Sequence, residues 1–120
     1  MMNTLIVILS ALLSAIFLLA SSIKLTGWQK KVFEIQLDFF HKYGLNRKHM
    51  FGVGAIEFYG AVTLWLPGLI GLSGSLAIFF TSIGAIFCHL KYDTWKAGVP
   101  AMFTFVFSGA LSILKITLLN

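Results

Sequence analysis

A chain of 120 residues that is 58% hydrophobic and 11% charged, with a mean hydropathy of +0.92, does not have the composition of a water-soluble domain. Its net charge of +5 does not point to nucleic acid, because the cations flank apolar runs instead of sharing one accessible face. The single cysteine, Cys88, excludes a disulfide framework and any thiol exchange that needs a second, resolving thiol.

A bilayer core of ~30 Å needs roughly 20 apolar residues per helix, and four runs approach that length: residues 4–23, 51–66, 69–89 and 99–119. The expected fold is all-α, an integral membrane four-helix bundle forming one domain over residues 1–120. The first run, "LIVILSALLSAIFLLA", has no Lys or Arg before it, so a retained helix is expected and not a cleaved signal. Eight of the nine basic residues fall in the connections after spans 1 and 3: Lys24, Lys30, Lys31, Lys42, Arg47, Lys48, Lys91 and Lys96. Both connections are therefore expected on the cytoplasmic side and both termini outside.

The segment 28–43, "WQKKVFEIQLDFFHKY", is too patterned to be a bare loop. Wound as a helix, it gathers Trp28, Val32, Ile35, Phe39, Phe40 and Tyr43 opposite Lys30, Lys31, Glu34, Asp38, His41 and Lys42. This pattern predicts an amphipathic interfacial helix in the headgroup plane, closed by Gly44.

Span 2 carries one carboxylate, Glu57, in an otherwise apolar run. A charge in hydrocarbon is costly by a few kcal/mol, so such a residue faces protein and finds a partner. Gly54, Gly60 and Ala61 lie three or four positions away and allow a close helix approach on that side. Eight residues at ~1.5 Å each place Glu57 roughly 12 Å from the basic cluster ending at His49. On span 1, Ser10, Ser14, Phe17, Ser21 and Lys24 form one stripe; on span 3, Thr81, Ala85 and His89 repeat every four residues.

Lys24, Glu57 and His89 are thus expected to converge as a ligand-binding or proton-linked cluster. Its expected lining is Ser14, Phe17, Ser21, Phe58, Tyr59, Gly60, Ala61, Thr81 and Ala85, with Trp65, Phe87, Phe103, Phe105 and Phe107 as further aromatic candidates. A purely structural Lys24–Glu57 pair capped by His89 explains the same residues equally well. No metal is expected, because His41, His49 and His89 share no helical spacing with a second ligand. No catalytic residue is assigned, since no nucleophile, phosphate loop or metal motif accompanies the cluster. Glycines at 52, 54, 60, 71, 74 and 84 offer close-contact surfaces on more than one face and suggest a homo-oligomer.

The strings "FLLASSIKLTG", "GAIEFYGAVTLWLPG" and "GAIFCHLKYD", in that order and spacing, resemble the DoxX-like family of small four-helix membrane proteins. The resemblance runs from about Leu12 to Leu114. It rests on Lys24 and Leu25 at the end of span 1, Glu57, Gly60 and Ala61 in span 2, Ala85 and His89 in span 3, and Gly98 to Ala101 at the start of span 4. Ser21 stands where many members carry glycine. The resemblance implies the four-helix fold and an association with quinone-linked systems and membrane oxidoreductase assemblies. The functional expectation is a non-catalytic accessory or binding subunit for a membrane oxidoreductase or a quinone-like amphipathic molecule, in a bacterial cytoplasmic membrane. A small proton-coupled transporter and an assembly factor are the alternatives. Transporters of this size carry their acid in the first helix, and here it stands in the second.

Overall fold

The computed structural model describes residues 2–119, which are almost entirely helical. Five helices follow one another: α1 (Met2–Thr26), α2 (Lys30–Lys42), α3 (Arg47–Thr63), α4 (Gly68–Tyr92) and α5 (Val99–Leu119). Three of them, α1, α4 and α5, are long and apolar enough to cross a membrane. The 17 residues of α3 reach about 26 Å at ~1.5 Å per residue, short of a ~30 Å hydrocarbon core.

The limits of α3 depart from the expected 51–66. Asn46 caps the helix, its side chain accepting from the backbone of Lys48 (2.9 Å) and His49 (3.3 Å), while His49 Nδ1 accepts from the Asn46 N–H. This reciprocal cap starts α3 at Arg47, inside the basic segment. At the other end Pro67 keeps Leu66 out of the helical region, so the chain turns over residues 64–67. The segment 28–43 does form a helix, α2. After its cap residue Tyr43, Gly44 takes φ +77° while Gly44 N–H bonds His41 O and Leu45 N–H bonds Phe40 O, the paired closure that a left-handed glycine permits.

Of the expected apolar face of α2, Phe39, Phe40 and Tyr43 turn toward the other helices. Trp28 and Ile35 are well exposed, and the residues seated inward are Phe33, Gln36, Phe39, Phe40 and Tyr43. Arg47 fixes this seat from α3: its guanidinium lies 4.9 Å from the Phe33 ring centre and donates to Leu25 O at 3.1 Å.

The longer helices pack α1 on α3, α3 on α4, α4 on α5 and α5 back on α1. Small residues set the closest approaches. A Cβ on Gly60 would come within 2.8 Å of Gly74 O, and one on Gly54 within 2.8 Å of Lys24 Cβ. Hydroxyls tie α4 to α5 through Ser75–Ser112 (2.9 Å) and Ser82–Thr104 (2.7 Å). The apolar centre is Leu13, Phe17, Ala61, Leu64, Ile78 and Leu111. Large apolar side chains such as Val7, Leu19, Phe80, Phe87, Val106 and Ile113 point outward along several helices, the polarity of a surface that meets lipid.

A polar-ended cavity as the candidate functional site

Lys24 stands in the last turn of α1, where the serine stripe meets the basic connection. Glu57 sits one turn past the Gly54 contact on α3, and that contact brings the two helices close enough for Lys24 Nζ to lie 2.9 Å from Glu57 Oε1. Both residues are buried, Lys24 at 9% and Glu57 at 6% exposure, so the pair is a desolvated one. Oε1 is fully buried, and the 2.9 Å contact with the Lys24 ammonium is its one polar partner among the described residues.

His89 lies near the end of α4 and takes different partners from the expected ones. Its Nδ1 is 2.9 Å from Asp93 Oδ1, one helical turn on, and 3.1 Å from the Tyr43 hydroxyl at the end of α2. Tyr43 in turn donates to Asp93 Oδ2 at 3.2 Å. A carboxylate can only accept, so both His89 Nδ1 and the Tyr43 hydroxyl donate to it. Partial burial alone would raise the Asp93 carboxyl, but hydrogen bonds from His89, the Thr94 N–H and Tyr43, with the nearby imidazole charge, outweigh it and hold it below the ordinary value. Burial, and then the neighbouring Asp93, push the Tyr43 phenol well above its ordinary value, so it stays a donor at neutral pH.

These two polar groups share one cavity of about 530 Å³, with walls drawn from all five helices. Lys24, Gln36, Tyr43, Glu57 and His89 are among its polar lining residues; Ile16, Phe17, Phe39, Phe40, Val53 and Ala85 are among its apolar walls. That volume lies within the range of small-molecule pockets, and an apolar body with a few fixed polar atoms is their usual chemistry. The cavity sits where α1 and α4 end and α5 begins, while Asn3, the turn at 65–68 and Lys115 lie together at the opposite end.

Of the expected lining, Phe17, Thr81 and Ala85 face the cavity. Ser14, Ser21, Gly60 and Ala61 do not: they are buried between helices, where Ser14 donates to Ala61 O at 3.0 Å and Gly60 meets α4. Phe58 and Tyr59 are half-exposed on the outer face, since they follow Glu57 by 100° and 200° of helical turn. Trp65, Phe87 and Phe103 point outward as well, and Phe105 stacks on Phe79 at 4.9 Å. The sequence reading missed Asp93, Tyr43 as its partner, and Gln36. The spacing of His89 and Asp93 by four was the available signal for the first.

Residues 8–115 match the family model described as the DoxX-like family. No curated protein and no solved structure matches the chain. The match spans Lys24, Glu57, His89 and every other cavity residue named above, and the chain belongs to the DoxX-like family.

Proposed function

We propose that the protein is a membrane-embedded binding subunit that holds a small amphipathic molecule, of quinone-like size and character, in the cavity between its helices. The observation that carries this reading is the position of the Lys24–Glu57 pair: both residues border the cavity. A pair needed only to join α1 to α3 gains nothing from bordering a pocket, whereas a ligand-binding pair must reach one. In this reading α1, α3, α4 and α5 cross the bilayer as a four-helix bundle, with the polar residues 47–49 of α3 in the interfacial layer and α2 flat beside them. The basic connections face the cytoplasm, the termini face outward, and a membrane oxidoreductase or a second copy of the chain is the partner in the bilayer.

The structural alternative rests on an observation too, the tight Gly54–Lys24 approach that the ion pair accompanies. Mass spectrometry of lipid extracts from the purified protein separates the two. An amphiphile enriched over bulk membrane lipid, and lost on His89→Ala or in a Lys24→Met/Glu57→Leu double variant that still folds, is the expected result. An extract with the composition of the surrounding membrane, identical in wild type and variants, refutes binding and leaves the structural role.

A further inference from the structure

α2 walls one side of the cavity without belonging to the core. Gln36, Phe39, Phe40 and the cap residue Tyr43 line the cavity, yet no residue of α2 is buried. The core cluster instead draws Leu13 from α1, Ala61 from α3, Ile78 from α4 and Leu111 from α5, each fully buried. Displacing any of those four helices would expose such side chains to solvent or lipid. Displacing α2 exposes only partly covered ones, so α2 is the wall that moves at least cost.

The polar and aromatic contacts that hold α2 lie toward its two ends. Near its start the Arg47 guanidinium lies 4.9 Å from the Phe33 ring centre. At the far end the Phe39 ring meets the His89 ring edge-on at 5.2 Å, while the Tyr43 hydroxyl lies 3.1 Å from His89 Nδ1 and donates to Asp93 Oδ2 at 3.2 Å. A single contact of either kind shifts an opening equilibrium by only roughly two- to tenfold. Outside these contacts α2 is bracketed by Gly27 at φ +71° and Gly44 at φ +77°, and glycine reaches either sign of φ readily, which lets the helix turn as a unit.

We propose that α2 is a hinged lid over the cavity, swinging about Gly27 and Gly44 and held shut by the contacts of Tyr43 with His89 and Asp93. The lid rests on the binding role proposed above and adds how that site is entered: from the interfacial layer, at the end where α1 and α4 finish. Closed, it lays Phe39 and Phe40 over the occupant; exchange requires both ends of α2 to let go.

Cys88 supplies the readout, because it is the one cysteine of the chain, lines the cavity and is half-buried. The rate at which a sulfonated methanethiosulfonate reagent, an anion that stays in water, labels Cys88 is measured by mass spectrometry on the full chain in lipid nanodiscs. The wild type is expected to react more slowly than the unfolded chain. Tyr43→Phe should accelerate labelling about fivefold, the effect of one ordinary hydrogen bond on an opening equilibrium. Phe33→Ala acts at the other end, outside the cavity wall, and should accelerate it about two- to fivefold. Leu111→Ala truncates the core away from α2 and the cavity wall, lowers global stability, and should leave the rate within about twofold of the wild type. Thermal unfolding of each variant verifies that it is folded.

A wild type that reacts as fast as the unfolded chain has an open cavity and no lid. If neither α2 variant changes the rate, α2 is a fixed wall and the lid is refuted. Acceleration in only one of the two means fraying at one end, and equal acceleration in Leu111→Ala means entry by global unfolding; either result overturns the lid. The labelling needs no ligand, so it judges the lid by itself, while the lipid extracts judge the binding role.

Discussion

Two polar groups border the same cavity, and they are built on opposite principles. Lys24 and Glu57 are two full charges, buried, joined by a single contact of 2.9 Å between α1 and α3. Tyr43, His89 and Asp93 are a hydroxyl, an imidazole and a carboxylate at the junction of α2 and α4, sharing contacts of 2.9 to 3.2 Å. In the first, each member depends on one partner for its solvation. In the second, every member has two, so losing one leaves the others still bonded. The comparison teaches that the α1–α3 pair is where a single substitution does most harm, while the α2–α4 cluster acts as a latch whose loss is local.

The largest expected effect follows from that dependence. Glu57→Gln leaves the Lys24 ammonium buried without its counter-charge, and breaking a buried pair in this way costs on the order of 3–5 kcal/mol. Replacing both members, Lys24→Met with Glu57→Leu, substitutes apolar packing for the pair and is expected to return most of that stability. Thermal unfolding in mild detergent measures both. If the double variant is no more stable than Glu57→Gln, the pair is not a mutually solvating unit and the contrast with the latch disappears.

Gly54 sharpens the same contrast by geometry instead of charge. A methyl group there would sit 2.8 Å from Lys24 Cβ, so Gly54→Ala must push α1 from α3, at a cost of about 1–3 kcal/mol for overpacking. Gly52→Ala, where nothing lies within 4 Å, is the control: it should be neutral or stabilise by up to about 1 kcal/mol through helix propensity. Equal effects of the two changes on thermal unfolding would show that the α1–α3 approach is not set by that contact.

The same two groups differ in how far the sequence exposes them. A charge inside an apolar run is rare and its helical phase is unambiguous, so Lys24, Glu57 and the His89 stripe could be placed on inward faces. Asp93 stands just past the end of α4, in a polar connection where a carboxylate reads as solvated, and only the four-residue spacing from His89 hints otherwise. Gln36 was hidden for another reason. The apolar arc of α2 is wide enough that either the Trp28–Ile35 side or the Phe33–Phe40 side could face inward, and the Arg47 contact that decides between them comes from another helix. The start of α3 escaped because its cap pairs Asn46 with His49 instead of the usual glutamate or glutamine.

The smallest expected effect belongs to the latch, and its sign can be worked out. Tyr43→Phe removes one of the donors to Asp93, and loss of a hydrogen bond of this kind costs about 1 kcal/mol. The Asp93 carboxyl is held below its ordinary value of 3.8 in the folded chain, so its contribution to stability is present above that value and is lost as pH falls through the depressed one. With one donor gone the depression is smaller, so the loss on acidification is smaller in Tyr43→Phe and is complete at a higher pH than in the wild type. Asp93→Asn removes this part of the pH dependence altogether. Because α2 has no buried residue and meets α4 through Phe39 and the cap residue Tyr43, amide exchange over residues 36–43 should accelerate in Tyr43→Phe while α1 and α3 keep their protection. Acceleration spread evenly over all five helices would mean that the latch carries global stability, and that the two polar groups are one cooperative unit.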